Sequence, residues 1–181
     1  VCKQYAELIT AGTFHSFCLV LLRKHKKAIG FPKGFSLCDT GDQISTVKGA
    51  MAELHAVEFK MRPADALSAI SLAKSRLDTP EKLLKKAVDI QEEYIAKVWE
   101  RYEERLHHSR LLDFDDLLGR TVELFGTHPK ILASIQDQFR YLLVDEYQDT
   151  NTPQYEIIRH IAQRHKNLCV VGDDDQSIYG W

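Results

Sequence analysis

At 181 residues, with 44% hydrophobic and 28% charged side chains, the chain can build one ordinary domain, or a domain carrying a smaller insertion, around a real core. Its net charge of −2 supplies no global field for nucleic acid, so any such contact must be local. No apolar run approaches a membrane span, no basic-then-apolar leader opens the chain, and Cys2, Cys18, Cys38 and Cys169 form no Cys-x-x-Cys pair, which favours buried thiols in a reducing cytosol over disulfides or zinc.

Residues 13–28 read as a helix, with Phe14, Phe17, Cys18, Leu21 and Leu22 on one apolar face, Thr13 as N-cap, and Gly30 and Pro32 as the stop. Residues 31–39 read as a loop. The dense basic cluster at 23–27 fits a solvated last helical turn, with phosphate contact left open. Residues 41–109 are rich in Lys, Glu and Ala and contain no strand-like run. Three helices are predicted there, over 42–55, 63–77 and 80–107, the last a single helix of about seven turns. Together they predict an all-helical subdomain, whose Lys- and Glu-rich faces are expected in solvent.

After Ser109 the pattern changes. Asp113, Asp115 and Asp116 lead a helix bearing Leu117, Leu118, Val122 and Phe125, and capping accounts for the three acids. A helix over 129–138 follows, then a strand over 141–145, a helix over 153–165 and a strand over 168–171. Strand, helix and strand with short connections predict a parallel βαβ unit with buried strands.

Both strands run into acid: Asp145 and Glu146 after the first, Asp173 after the second. In open α/β sheets this rim is where ligands bind, so one carboxylate there suits a hydrated Mg²⁺ and its neighbour a water aimed at a phosphate. The competing reading is that the acids only complement a following helix N-terminus. It weakens when both strands carry them, with Gln148, Asp149 and Gln176 close behind.

VDEYQD at 144–149 and VGDDDQSIYGW at 171–181 closely resemble motifs II and III of the UvrD/Rep-like superfamily 1 DNA helicases. TFHS at 13–16 and DFDDLL at 113–118 are similar to two further motifs of that family, in the same order. The resemblance implies a partial RecA-like P-loop NTPase domain of α/β class. Residues 1–39 and 111–181 would form it, and the inserted helical subdomain would span 40–110. It implies use of ATP and Mg²⁺, with Asp145 holding the metal through water, Glu146 activating the attacking water, Gln148 and Asp149 linking the pocket to neighbouring motifs, and Gln176 sensing the γ-phosphate. It also implies contact of Thr13, Phe14, His15, Tyr179 and Trp181 with single-stranded DNA or a single/double-strand junction. For Phe14 and Tyr179 a core role stays open.

The pattern G-x-x-x-x-G-K-[ST] does not occur in these residues. The resemblance implies a piece of a longer, cytoplasmic, nucleoid-associated 3′–5′ helicase, and the missing pattern leads to the expectation that this piece is inactive by itself. Two alternatives stand beside it: the helicase part of a RecB/AddA-like helicase–nuclease, and a degenerate DNA-binding module that does not hydrolyse ATP.

Overall fold

The computed structural model describes residues 9–54 and 61–176. Tyr179 and Trp181 lie outside the described residues. Among the described residues the architecture is mixed and helix-rich, with two small parallel sheets. In chain order the elements are α1 (Phe14–Lys24), β1 (Ser36–Leu37), α2 (Thr40–Glu53), α3 (Pro63–Lys74), α4 (Pro80–Lys86), α5 (Ile90–Ser109), β2 (Leu111–Leu112), α6 (Phe114–Thr127), α7 (Pro129–Gln138), β3 (Leu142–Val144), α8 (Thr152–Ala162) and β4 (Leu168–Val170).

Two apolar clusters organise the molecule. The first gathers Cys18, Leu21 and Leu22 of α1 with Leu117, Leu118, Leu124 and Phe125 of α6, Ile135 of α7, and Ile157 and Ile161 of α8. The second gathers Val47 and Ala50 of α2, Ala66 and Ile70 of α3, and Tyr94, Val98, Trp99, Tyr102 and Leu106 of α5. The chain passes from the first cluster into the second and back at one place. There β1 and β2 pair in parallel, Ser36 opposite Leu111 and Leu37 opposite Leu112. Neither two-residue strand was expected from the sequence.

The predicted helix over 80–107 is two helices. Ala87 leaves the helical region at ψ 126°, and Asp89 starts α5 afresh, its carboxylate accepting from the Glu92 amide at 2.8 Å. An N-cap of this kind contributes about 1 kcal/mol to starting a helix afresh. The apolar spacing runs on through the break but burial does not, since Val88 and Ile90 are exposed while Tyr94, Val98, Tyr102 and Leu106 are buried. α1 also stops sooner than its periodicity suggests, and α3 ends at Lys74, with Leu77 left-handed at φ 56°.

β3, α8 and β4 form the predicted parallel βαβ unit, with Leu142, Leu143 and Val144 opposite Leu168, Cys169 and Val170. The strands are less buried than expected. Val144 is buried and Leu142 packs on the first cluster, but Leu143, Val170 and Val171 are exposed. Alternation explains Leu143, because side chains at 142 and 144 share the face that 143 turns away from.

Burial pushes the Cys18 thiol up to about 11, and burial with nearby carboxylates does the same for Cys38. Cys169 is exposed on β4. Since the thiolate is the reactive form, alkylation with peptide mapping is expected to modify Cys169 well before Cys18 or Cys38. The reverse order would contradict this packing.

Candidate nucleotide and nucleic-acid site

The ends of β3 and β4 lie side by side because backbone bonds continue past the strands. The Val171 amide donates to the Val144 carbonyl at 2.8 Å, and the Tyr147 amide donates to the Val171 carbonyl at 3.0 Å. Asp145 and Glu146 follow β3, and Gly172 and Asp173 follow β4, so both acidic stretches share one rim. All four residues are exposed.

Side chains join the two stretches. The Gln148 amide nitrogen donates to a Glu146 carboxylate oxygen at 2.6 Å, and its carbonyl accepts from the Asp173 backbone amide at 3.1 Å. The Gln176 amide nitrogen then donates to the Asp173 carboxylate at 2.7 Å. Each amide group meets a partner of the right kind, so the run Glu146–Gln148–Asp173–Gln176 is self-consistent. Asp149 sits in the short 3₁₀ turn between β3 and α8, its amide donating to the Glu146 carbonyl at 3.0 Å. Sequence reasoning placed Asp173 on this rim by its position after an apolar run but gave it no individual role.

Two backbone features hold this geometry. Glu146 is left-handed, at φ 52° and ψ 41°. For a residue with a Cβ this costs about 1 kcal/mol or more, a strain that collects at functional positions. Gly172 lies where a Cβ would sit 2.7 Å from the Gln148 side-chain carbonyl oxygen and 3.3 Å from the Gln148 backbone nitrogen. Gly172→Ala is therefore expected to break the Gln148–Asp173 link and cost about 1 kcal/mol in denaturant unfolding. Unchanged stability would mean that the two strand ends do not approach this closely.

The other predicted group lies at the start of α1. Thr13 caps the helix, its hydroxyl accepting from the Ser16 amide at 3.2 Å. Phe14 packs on the first cluster, as the core alternative proposed, while His15 is half-buried. His15 meets Phe114 edge to face, with centroids 5.9 Å apart. Phe114 is 51% exposed. Sequence reasoning missed it because residue 114 falls in phase with the apolar stripe through Leu117, Leu118 and Phe125; nothing in the sequence says that the core ends one turn earlier.

Asp113, Asp115 and Asp116 do more than cap. Asp113 and Asp116 form a capping box at the start of α6. Both also accept from the Lys74 ammonium, at 2.8 and 2.7 Å, and Glu103 approaches the same nitrogen at 2.6 Å. Tyr102 donates to Asp113 at 2.9 Å, and Ser71 donates to Asp115 at 2.6 Å. Lys74, expected in solvent, is buried. Burial opposes its charge, but Asp116, Asp113 and Glu103 outweigh burial and hold it charged. For Asp113, burial is outweighed by Lys74 and the carboxyl lies below its usual range. Asp116 is pushed up to about 7 by burial, with Asp113 and Glu103 adding to the rise against the pull of Lys74.

Among the described residues no group of three or more His, Cys, Asp or Glu side chains is arranged to hold a metal, and no helix is long and apolar enough to cross a membrane. The chain is similar to proteins named ATP-dependent DNA helicase PcrA. It is 43% identical over 176 residues to that of Bacillus subtilis (strain 168), covering 97% of this chain and 24% of the relative. It is 42% identical over 176 residues to that of Staphylococcus aureus (strain Mu50), with the same coverage, and 42% over 178 residues to that of Staphylococcus epidermidis (strain ATCC 35984). The chain thus spans about a quarter of the length of these relatives. The family model of the UvrD/REP helicase N-terminal domain matches residues 1–181, and the chain belongs to that family.

Proposed function

We propose that these residues belong to an ATP-dependent 3′–5′ DNA helicase or translocase that couples hydrolysis of Mg-ATP to movement on single-stranded DNA. The observation that carries this reading is the bonded run Glu146–Gln148–Asp173–Gln176, which joins the ends of two parallel strands through the groups an NTPase needs near the γ-phosphate. The relatives' shared name, ATP-dependent DNA helicase PcrA, supports the same activity.

In this reading residues 1–39 and 111–181 belong to a RecA-like motor domain, and residues 40–110 are a helical insertion. The two apolar clusters and the paired crossing at β1 and β2 support that division. β3 and β4 are then two strands of a larger parallel sheet, which accounts for the exposed Leu143, Val170 and Val171.

Asp145 and Glu146 have separate tasks. Mg²⁺ needs only one or two protein carboxylates and otherwise keeps waters and phosphate oxygens, so the exposed Asp145 suits it as a water-mediated ligand. When bound, the ion offsets charge on the phosphates. Glu146 orients and deprotonates the attacking water, and its bond from Gln148 fixes the carboxylate's direction. Gln176, tethered to Asp173, reports on the γ-phosphate, and Asp149 ties the turn to the neighbouring motifs.

On the DNA side, Thr13, Phe14 and His15 present a helix N-terminus, which favours a phosphate. His15 and Phe114 offer rings at the same edge, and Tyr179 and Trp181 are assigned base stacking. The substrate is single-stranded DNA or a single/double-strand junction, in the bacterial cytoplasm at the nucleoid. The 181 residues carry no G-x-x-x-x-G-K-[ST] cradle, so they are assigned no turnover of their own. Strand displacement by the full-length protein tests the reading. Duplex with a 3′ single-stranded tail is expected to be unwound with ATP and Mg²⁺, and 5′-tailed duplex left intact; the opposite preference would overturn the assigned direction.

A further inference from the structure

Three of the four residues that open α6 are tied to α3, and the fourth is the exposed ring. Asp113 and Asp116 accept from Lys74, and Asp115 accepts from Ser71, so Phe114 is flanked on both sides by bonds to α3. The capping box is itself directed by the lysine. Asp113 gives one oxygen to the Asp116 amide and the other to Lys74; Asp116 gives one to the Asp113 amide and the other to Lys74. A capping box needs no such help to start a helix. An apolar side chain at 74 would seal the contact without the desolvation cost of an ammonium. What the ion cluster adds is direction, because charge-assisted bonds fix the α6 first turn relative to α3.

Beside this turn a groove of about 460 Å³ runs between α2, α3 and the starts of α6 and α8, with Ser71 and Asp115 in its wall. Phe114 and His15 stand at the same end of α6. We infer that Lys74 and Ser71 are positioning residues for nucleic-acid binding: α3 holds the first turn of α6 so that Phe114 is presented beside His15 to a base of the bound strand. This rests on the DNA-facing role proposed above for the start of α1. It assigns a task in strand binding to a helix that makes no claim on the strand itself.

The test is ATP turnover by the full-length protein as a function of single-stranded oligonucleotide. Phe114→Ala is expected to raise the half-saturating oligonucleotide concentration about tenfold, with the rate at saturation little changed. Lys74→Met and Ser71→Ala are expected to raise it in the same way, and Lys74→Arg to recover part of the loss. Because the lysine acts through the ring, Lys74→Met with Phe114→Ala should be no worse than Phe114→Ala alone. Additive losses, or a fall in the saturated rate with no shift in half-saturation, overturn the proposal. Where Lys74→Met does not fold, the cycle of Ser71→Ala with Phe114→Ala decides the same question.

A second readout separates this inference from the reading beneath it. Phe114→Trp places a fluorophore at the ring position, and its acrylamide quenching without DNA is expected to change when Ser71→Ala or Lys74→Met is added. Unchanged quenching overturns the positioning role whatever DNA does. Changed quenching with no effect of Phe114→Ala on half-saturation leaves the tether standing and removes the DNA-facing assignment.

Discussion

Glu146→Gln in the full-length protein is expected to lower DNA-stimulated ATP turnover by about 10²-fold or more while leaving nucleotide binding in place. The amide cannot take a proton from water, yet it keeps the size of the carboxylate and can still accept from Gln148 at the position now bonded at 2.6 Å. Loss of a base aimed at the nucleophile commonly removes a factor of about 10²–10⁴. Asp145→Asn is expected to act differently, weakening turnover most at low Mg²⁺ and recovering in part as Mg²⁺ is raised. Measuring both variants across a Mg²⁺ series separates the tasks. Wild-type turnover in Glu146→Gln, or identical Mg²⁺ profiles for the two variants, would remove the assignment.

The largest effect on stability is expected at Lys74. Lys74→Ala leaves Asp113, Asp116 and Glu103 facing one another without their shared cation. Breaking a buried ion cluster by removing one side typically costs about 3–5 kcal/mol. Urea unfolding of the chain measures it, and a loss below about 1 kcal/mol would mean that water reaches the cluster. Asp116→Asn should cost far less, because three carboxylates crowd one ammonium, with Arg120 the next cation, 3.8 Å from Glu103.

The cluster also sets a pH dependence whose sign follows from Asp116. Its carboxyl is raised to about 7, so the folded chain binds a proton that the unfolded chain has released. That contribution is fully present below the ordinary carboxyl range and is lost as pH rises through about 7. Asp113 is shifted the opposite way and matters only in acid, where its contribution is lost as pH falls. Between about pH 5 and 8 stability should therefore decline with rising pH, and Asp116→Asn should flatten the decline. An unaltered slope in that variant would assign the dependence to other groups.

Sequence alone carried the nucleotide side further than the rest. β3, α8 and β4 were legible because each is a contiguous run with its own stop signals, and the strand-end acids lie within thirty residues of one another. The capping roles of Thr13 and Asp113 were legible for the same local reason. What was missed depends on separation. Lys74 meets Asp113 and Asp116 across 39 and 42 residues, so a lysine at the end of a helix within a Lys- and Glu-rich stretch looked like part of a solvent face. β1 and β2 are two residues each and exist only through pairing with one another, which no periodicity can announce. The break at residues 87–89 was hidden because the stripe keeps its phase across it, and only the Asp89 cap marks the new helix.

Phe114 shows the limit most clearly. It has the residue type and spacing of a core position, yet it stands half exposed against His15. Its exposure is decided by where the first cluster ends and by the bonds that α3 makes to either side of it, and both are tertiary facts.

Acids on a strand rim and aromatic groups at the starts of α1 and α6 serve one reaction only if hydrolysis answers to DNA. Steady-state ATP turnover by the full-length protein, with and without single-stranded oligonucleotide, tests that dependence most directly. Turnover is expected to rise at least about tenfold with the oligonucleotide and to need Mg²⁺. Equal turnover with and without DNA would contradict the account.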